Sequence, residues 1–479
     1  MKKYQKNEQI TVLITDMTKD GEGIGKADGF TIFVKDTVPG DRILAVITKV
    51  KKTYGYARLL TILEPSADRV DAPCPVARQC GGCKLQMMRY EKQSDFKRRI
   101  VCDALERIGG FRTTLGLYET DSSGKKVIPV DETVSAGPKF RYRNKAVVPV
   151  GKDKEDNPVA GFYAGRTHVI IPFKDCLLGP KEYGKIIADI LNWMKTEHVS
   201  AYDESTGKGL IRHVFMRKSR ETEEIQICLI INGRIIPGID SLRKVLENND
   251  PERKIAGVLY STNCRRTNVI FGERPKLLWG KEYLTDSLRS DKYGISVRYQ
   301  ISPASFYQVN PWIAERMYEH VLELTQLNGT ETVYDLYCGT GTISLFLAKK
   351  AGRVIGVETV SDAVKNAKRN AEINNLNNVC FLEGKAEEVM PELYKKEKLK
   401  ADVVVVDPPR RGCDEVLLKT IINMQPEKVI YVSCDPATLA RDIRILSDNG
   451  YLIESVRPYD QFVYTSHVES VVKLTRAGV

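Results

Sequence analysis

Val333-Tyr-Asp335-Leu-Tyr337-Cys338-Gly339-Thr-Gly341-Thr342 is the stretch on which the reading of the chain turns. An apolar run breaks at a glycine-bearing turn and resumes with helical spacing, which predicts a strand, a tight turn and a helix over 343–350. The two glycines let the backbone approach a ligand at the carboxyl end of the strand. A second strand follows, Arg353-Val-Ile-Gly-Val357-Glu358, and ends in an acid placed to accept hydrogen bonds from ribose hydroxyls. A nicotinamide-binding turn would carry a third glycine where Ser344 stands, so a dinucleotide site is disfavoured. Strand and helix keep alternating to the end of the chain. Residues 299–479 are therefore read as a Rossmann-like α/β domain.

Three more stretches of this domain carry chemistry. Ala401-Asp-Val-Val-Val-Val-Asp407-Pro408-Pro409-Arg410 puts a carboxylate and two rigid prolines at a strand end. Lys428-Val-Ile-Tyr-Val-Ser433-Cys434-Asp435-Pro436 runs from an apolar strand straight into a helix, with Ser433 and Asp435 as caps and Pro436 in the first turn. A thiol there meets the positive end of the helix, with Arg441 nearby, and thiolate is the expected form. A small buried cysteine is the bland reading; the strand-end position favours a nucleophile. Finally, Glu469 opens the last strand, in His467-Val468-Glu469, where a carboxylate is ordinarily just exposed.

Outward from that domain, residues 9–62 alternate apolar and polar between breaks such as Asp20-Gly-Glu-Gly-Ile-Gly25 and Val38-Pro-Gly40-Asp41, the pattern of a small β-barrel over 1–64. Cys74, Cys80 and Cys83 follow, the last two separated by Gly81-Gly82. Three thiols this close read as metal ligands lacking a fourth, and spacing does not separate Cys102, Cys176, Cys228 and Cys264 as that fourth; iron–sulfur and zinc both suit thiolates. Tyr90 to Phe111 predicts a basic amphipathic helix. The mixed strands and helices up to residue 298 complete a central domain over 65–298, in which Lys139-Phe-Arg-Tyr-Arg-Asn-Lys145 is either a polar β-edge or an RNA contact. Net charge is +11, which suits a polyanionic partner without demanding one. Eleven cysteines, no apolar signal core and no membrane-length apolar run place the chain in the cytoplasm, without a disulfide framework.

Taken in order, these motifs resemble the S-adenosylmethionine-dependent RNA 5-methyluridine methyltransferases, particularly the 23S rRNA branch, and the resemblance implies an RNA-binding TRAM barrel over 1–64. The carriers are Gly21-x-Gly23-x-Gly25, the three cysteines, Phe306-Tyr-Gln308-Val-Asn310, Asp407-Pro-Pro-Arg410, Ser433-Cys434-Asp-Pro and His467-Val-Glu469. The resemblance implies Cys434 as nucleophile and Glu469 as general base. It also implies Gln308, Tyr337, Glu358 and Asp407 around S-adenosyl-L-methionine and the uracil, and a [4Fe–4S] cluster on Cys74, Cys80, Cys83 and Cys176. Helix 90–111 would pack on the catalytic domain. Ribosomal RNA (23S) is the implied partner, with no membrane and no stable protein partner. The chemistry is coherent: a thiolate on C6 of uracil makes C5 enolate-like, able to take a sulfonium methyl and then lose its hydrogen to a base. The target uridine must be unstacked. Competing readings are a tRNA uracil-C5 methyltransferase, a non-catalytic RNA-binding or assembly protein, and an iron–sulfur oxidoreductase using NAD.

Overall fold

The computed structural model describes residues 4–115, 119–120, 126–397 and 401–478. Its contacts divide the chain into two compact units. One comprises Met1–Ile100, Phe162–Ile171 and Phe462–His467; the other comprises Val101–Gly161, Pro172–Gln461 and Val468–Val479.

The first unit holds a closed five-stranded barrel, in the order Gln9–Met17, Gly23–Ala27, Phe30–Val34, Tyr54–Glu64, Arg42–Val50. Alternation drives it: Ile10, Val12, Ile14, Phe30, Ile32, Val34, Ile43, Ala45 and Ile47 point inward and are buried together, while their neighbours face out. The glycine run predicted as a break is partly strand. Gly23 and Gly25 lie within the ladder because the barrel closes tightly over them: a Cβ on Gly25 would stand 2.2 Å from Val12 Cγ1 and 2.5 Å from the Leu13 carbonyl oxygen. The Val38-Pro-Gly40-Asp41 turn is held by buried Asp41, which accepts from the N–H groups of Val38 (2.6 Å) and Ser66 (2.9 Å) and pairs with Arg69 at 2.6 Å. Burial opposes that charge, but Arg69 and the two N–H groups outweigh it and hold the carboxyl below its usual range. The following helix spans Tyr90–Arg107, shorter than the sequence predicts, and Gly110 beyond it turns with φ 64°.

Two large sheets organise the second unit. One holds Lys145–Lys152, Ile211–Lys218, Ile225–Ile231, Ile255–Thr262 and Lys276–Gly280 in that order. Lys145–Lys152 is paired on both sides there, so the segment entering it is no sheet edge; Arg141 is instead occupied by Asp175 and by the carbonyls of Cys176 and Gly179, each carbonyl at 2.9 Å. The other sheet runs Val379–Glu383, Arg353–Glu358, Thr332–Leu336, Val403–Val406, Lys428–Ser433, Glu469–Arg476, Tyr451–Tyr459. Its first five strands are parallel and fully apolar at their centres, as a sheet covered on both faces requires. The helix after the first glycine turn spans Thr342–Ala348. Among the described residues no helix is long and apolar enough to cross a membrane.

Gly25→Ala is expected to destabilise the barrel by about 1–3 kcal/mol through overpacking, read as a lower urea midpoint; an unchanged midpoint would show that the strands can separate without cost.

Candidate active site

Strand order in the second sheet reverses after Thr332–Leu336: the next strands in sequence go to one side, and Val403–Val406 returns on the other. Ligand crevices of open α/β sheets form at such a reversal, outside the carboxyl ends of the strands. Glu358, Tyr337, Asp407 and Cys434 all stand at those ends. Glu469 joins them by a different route. Its strand is antiparallel to Lys428–Ser433, pairing Ser433 with Ser470, and this register continued by one residue sets Cys434 opposite Glu469. An amino-terminal carboxylate thereby reaches the same edge as a carboxyl-terminal thiol.

Each side chain is held locally. Glu358 accepts from the Gly339 N–H at 3.0 Å and the Val360 N–H at 2.9 Å, which locks the glycine turn over the end of its strand. Within that turn Tyr337, Gly339 and Gly341 have φ of 65°, 57° and 80°. The glycines take this region freely; Tyr337 takes it at a cost, a strain of the kind found where a backbone must serve a ligand. Gln308 is buried and its side-chain oxygen accepts from Gln461 at 2.8 Å, while its backbone carbonyl accepts from Asn144 at 2.9 Å. Asp435 caps the helix Pro436–Asp448 through the N–H groups of Ala437 (2.9 Å) and Thr438 (3.3 Å), as the sequence predicts.

The electrostatics correct one expectation. Burial, reinforced by the charges of Glu469 and Asp407 and opposed by Arg410, pushes the Cys434 thiol up to about 12. The helix N-terminus does not win, because burial and two carboxylates oppose the charge and Asp435 already satisfies the helix's free N–H groups. Arg441 does not serve the thiol either. It pairs with Asp442 and donates to the Arg411 carbonyl at 2.9 Å, while Asp442 accepts from the Cys413 N–H at 2.8 Å and the Tyr431 hydroxyl at 2.6 Å. That network pins the loop after Asp407-Pro-Pro and so positions Arg410. The Arg410 guanidinium is exposed and has no hydrogen-bond partner among the described residues.

Glu469 is likewise not an exposed strand-start acid. It is 5% exposed, and burial, with Asp407 adding and Arg410 subtracting, raises it to about 8. Burial and the nearby Asp335 raise Asp407 to about 7. Asp335 is itself fully buried and raised to about 7 by burial; one oxygen accepts from the Ser344 hydroxyl and the other has no hydrogen-bond partner among the described residues. The sequence analysis passes over Asp335, Asn144, Gln461 and the role of Arg410. Only Asp335 left a signal, a charged residue inside an apolar strand. Gln461 and Asn144 meet Gln308 from positions 153 and 164 residues away, which no local pattern encodes.

The cysteine set is not reproduced as a metal centre. Among the described residues no group of three or more His, Cys, Asp or Glu side chains is gathered to hold a metal ion. Cys74, Cys80 and Cys83 belong to the first unit and Cys176 to the second. Locally, the loop is committed to other bonds: the Cys80 sulfur accepts from the Gly82 N–H at 3.4 Å, the Gly81 N–H donates to the Tyr163 carbonyl at 2.8 Å, and the Cys74 N–H donates to Gln86 at 3.2 Å.

Comparison with known proteins agrees with this geometry. Residues 265–477 match the family described as tRNA (Uracil-5-)-methyltransferase, and residues 3–60 match the TRAM domain. A protein of Halalkalibacterium halodurans named as an uncharacterized RNA methyltransferase is 45% identical over 98% of this chain and 97% of its own length. A Clostridium tetani protein named likewise is 42% identical over 99% and 98%. Among solved structures, the tRNA (uracil-54, C5)-methyltransferase of Pyrococcus abyssi, in complex with S-adenosyl-L-homocysteine, is 27% identical with a TM-score of 0.73, covering 97% of this chain and all of that one.

Glu469→Gln is expected to stabilise the fold by a margin that depends on pH. The raised folded value means that the unfolded chain gives up the Glu469 proton first, so wild-type stability falls as pH climbs from the ordinary carboxylate range to about 8. Urea midpoints of the two proteins should be close at pH 5 and diverge up to about pH 8, where the gap levels off; a gap that shrinks with rising pH would contradict the burial of this carboxylate.

Proposed function

Because the chain belongs to the RNA uracil-5-methyltransferase family, we propose that it methylates C5 of a uridine in 23S ribosomal RNA, through a Cys434–C6 bond and with Glu469 as base. The observation that carries this reading is the register that sets the strand-end thiol opposite a buried carboxylate. Bound S-adenosylmethionine supplies a sulfonium methyl group. The residues present suit it: a glycine turn free of side chains, Glu358 at the ribose end, and a buried, half-partnered Asp335 whose charge a cation would offset.

Within this mechanism Cys434 rests as a thiol. Its proton passes to water as sulfur bonds to C6 of the uracil, with the Arg410 guanidinium the cation nearest the charge that builds up. C5, now enolate-like, takes the methyl group. Ionised Glu469 removes the C5 hydrogen, the ring double bond re-forms, and the C6–sulfur bond breaks to return the thiolate, which reprotonates. Glu469 near 8 suits a base that must both take a proton from carbon and lose it again to solvent.

A second reading, a transfer-RNA substrate, is favoured by the Pyrococcus abyssi protein, which matches this chain from end to end. Architecture alone therefore does not choose between the two RNAs. Incubation with labelled-methyl cofactor and either 23S rRNA or bulk tRNA separates them: label in rRNA supports the proposal, label only in tRNA replaces it, and label in neither would leave a non-catalytic RNA-binding protein. Cys434→Ala is expected to lower turnover by on the order of a thousandfold or more and to abolish the covalent complex that wild type forms with 5-fluorouridine-containing RNA; trapping on any other residue would reject the mechanism.

The four cysteines stand on the family resemblance and their thiol chemistry, as ligands of a [4Fe–4S] cluster with zinc as the alternative. Anaerobically purified protein is expected to contain iron and acid-labile sulfide, both lost on substituting Cys80 and Cys83 by Ser. Protein with neither iron nor zinc would end that assignment.

A further inference from the structure

Gln308 is held at two points by residues far from it in the chain. Its backbone carbonyl accepts from the Asn144 side chain at 2.9 Å, and the Asn144 N–H donates to the Val309 carbonyl at 2.9 Å, which together fix the main chain. Its side-chain oxygen accepts from Gln461 at 2.8 Å. Gln461 is fully buried and Gln308 is 5% exposed, so close packing keeps both amides where they are. With its oxygen turned to Gln461, Gln308 turns its N–H2 group the other way, and that group has no hydrogen-bond partner among the described residues. A donor so enclosed is costly to leave unsatisfied, so it calls for an acceptor. The segment that carries it joins two sides of the crevice. Thr340, in the glycine turn, donates to the Phe306 carbonyl at 3.2 Å. Gln461 lies two residues beyond Tyr459, the strand partner of Glu469. Gln308 thus stands between the cofactor turn and the strand of the base.

We propose that Gln461 is a positioning residue: by holding the Gln308 oxygen, it presents the Gln308 N–H2 group as a donor to the carbonyl oxygen on C4 of the uracil ring. When sulfur adds to C6, C5 becomes enolate-like and the negative charge is shared with that oxygen. A donor already aimed at it gains strength as the charge grows and needs no reorganisation at that moment. The same lock selects the base. A free glutamine can turn its amide over and accept from an amino group, whereas a held one cannot. The 4-amino group of cytosine would therefore meet N–H2 with N–H2, a mismatch built against the wrong pyrimidine. The base is the acceptor chosen because Gln461 adjoins the strand partner of Glu469, and the carbon that Glu469 serves is the neighbour of C4. The proposal rests on the uracil-C5 reading of the site and adds to it the residue that orients the donor.

Steady-state methyl transfer to in-vitro transcripts of whichever RNA the wild type labels tests it. Gln461→Met, close in volume but without a donor, is expected to lower kcat about tenfold and leave the KM for S-adenosylmethionine unchanged. Gln308→Met is expected to lower kcat about a hundredfold, as loss of a donor to a developing oxyanion does. Because Gln461 acts only through Gln308, the double variant should be no slower than Gln308→Met alone, within about twofold. A merely structural role would instead add its loss to the other. Transcripts made with 4-thiouridine put a weak acceptor, sulfur, at C4. The ratio of rates on uridine and 4-thiouridine transcripts should be largest for wild type and fall at least about threefold in either single variant. Should Gln461→Met not fold, Gln461→Asn, whose amide is one carbon too short to reach Gln308, takes its place with the same expected split. Wild-type kcat in the Gln461 variant, a loss confined to the KM for S-adenosylmethionine, additive losses in the double variant, or an unmoved 4-thiouridine ratio would each overturn the proposal. A wild type that transfers no methyl group to any RNA removes it together with the enzymatic reading; an active wild type with an equally active Gln461 variant removes this inference alone.

Discussion

The active edge depends on one antiparallel strand. In a wholly parallel sheet every functional group offered to the crevice comes from a strand's carboxyl end, and the residues reaching it are those of the loops that follow. Inserting Glu469–Arg476 antiparallel beside Lys428–Ser433 breaks that limit. It brings the start of one strand to the finish of another, so a thiol and a carboxylate 35 positions apart become cross-strand neighbours without a long loop to order. The cost is electrostatic: Glu469 arrives where Asp407 and Asp335 already stand. Burial leads the shift of all three, Asp335 raises Asp407 further and Asp407 raises Glu469 further.

That crowding explains why the nucleophile is quiet. A cysteine at a helix N-terminus is commonly activated by the helix, yet here the cap consumes the helix's donors and the neighbouring acids disfavour a second negative charge. A thiol held protonated is protected from the oxidation that exposed thiolates suffer. Among the described residues Arg410 is the cation that opposes the shifts of Cys434 and Glu469, and its place is held by contacts running from half-exposed Arg441 through buried Asp442 to Cys413 and Tyr431. Gly412 belongs to the same device: with φ 78°, and with a Cβ that would lie 2.5 Å from both Arg441 Nη2 and Asp442 Oδ2, only glycine lets the loop close on that pair.

The fold was largely legible in the sequence because its signals are local. Alternation over residues 9–62, strand-to-helix switches after Leu336 and Ser433, and the Asp435 cap with Pro436 behind it are each decided within a few residues of chain. The strand at Gly23–Ala27 was missed for the opposite reason: its glycines answer to Thr37, Ile14 and Val12 across the barrel, not to their own neighbours. The site divides the same way. Glu358, Asp407 and Cys434 announce themselves at strand ends, whereas the burial of Glu469, the clamp of Gln461 and Asn144 on Gln308, and the direction of the Cys434 shift are products of packing. A pKa in particular has no local signature; the helix dipole visible in the sequence favoured thiolate, and burial, with the acids brought in by other strands, reversed it.

The second unit's edge is crowded with carboxyl groups, Asp335, Asp407, Glu358 and Glu469, with Arg410 beside them. Such an edge suits a cationic methyl donor and disfavours a polyanionic backbone lying across it. An RNA substrate must therefore be held mainly by charges elsewhere and present only one flipped, uncharged base to the crevice.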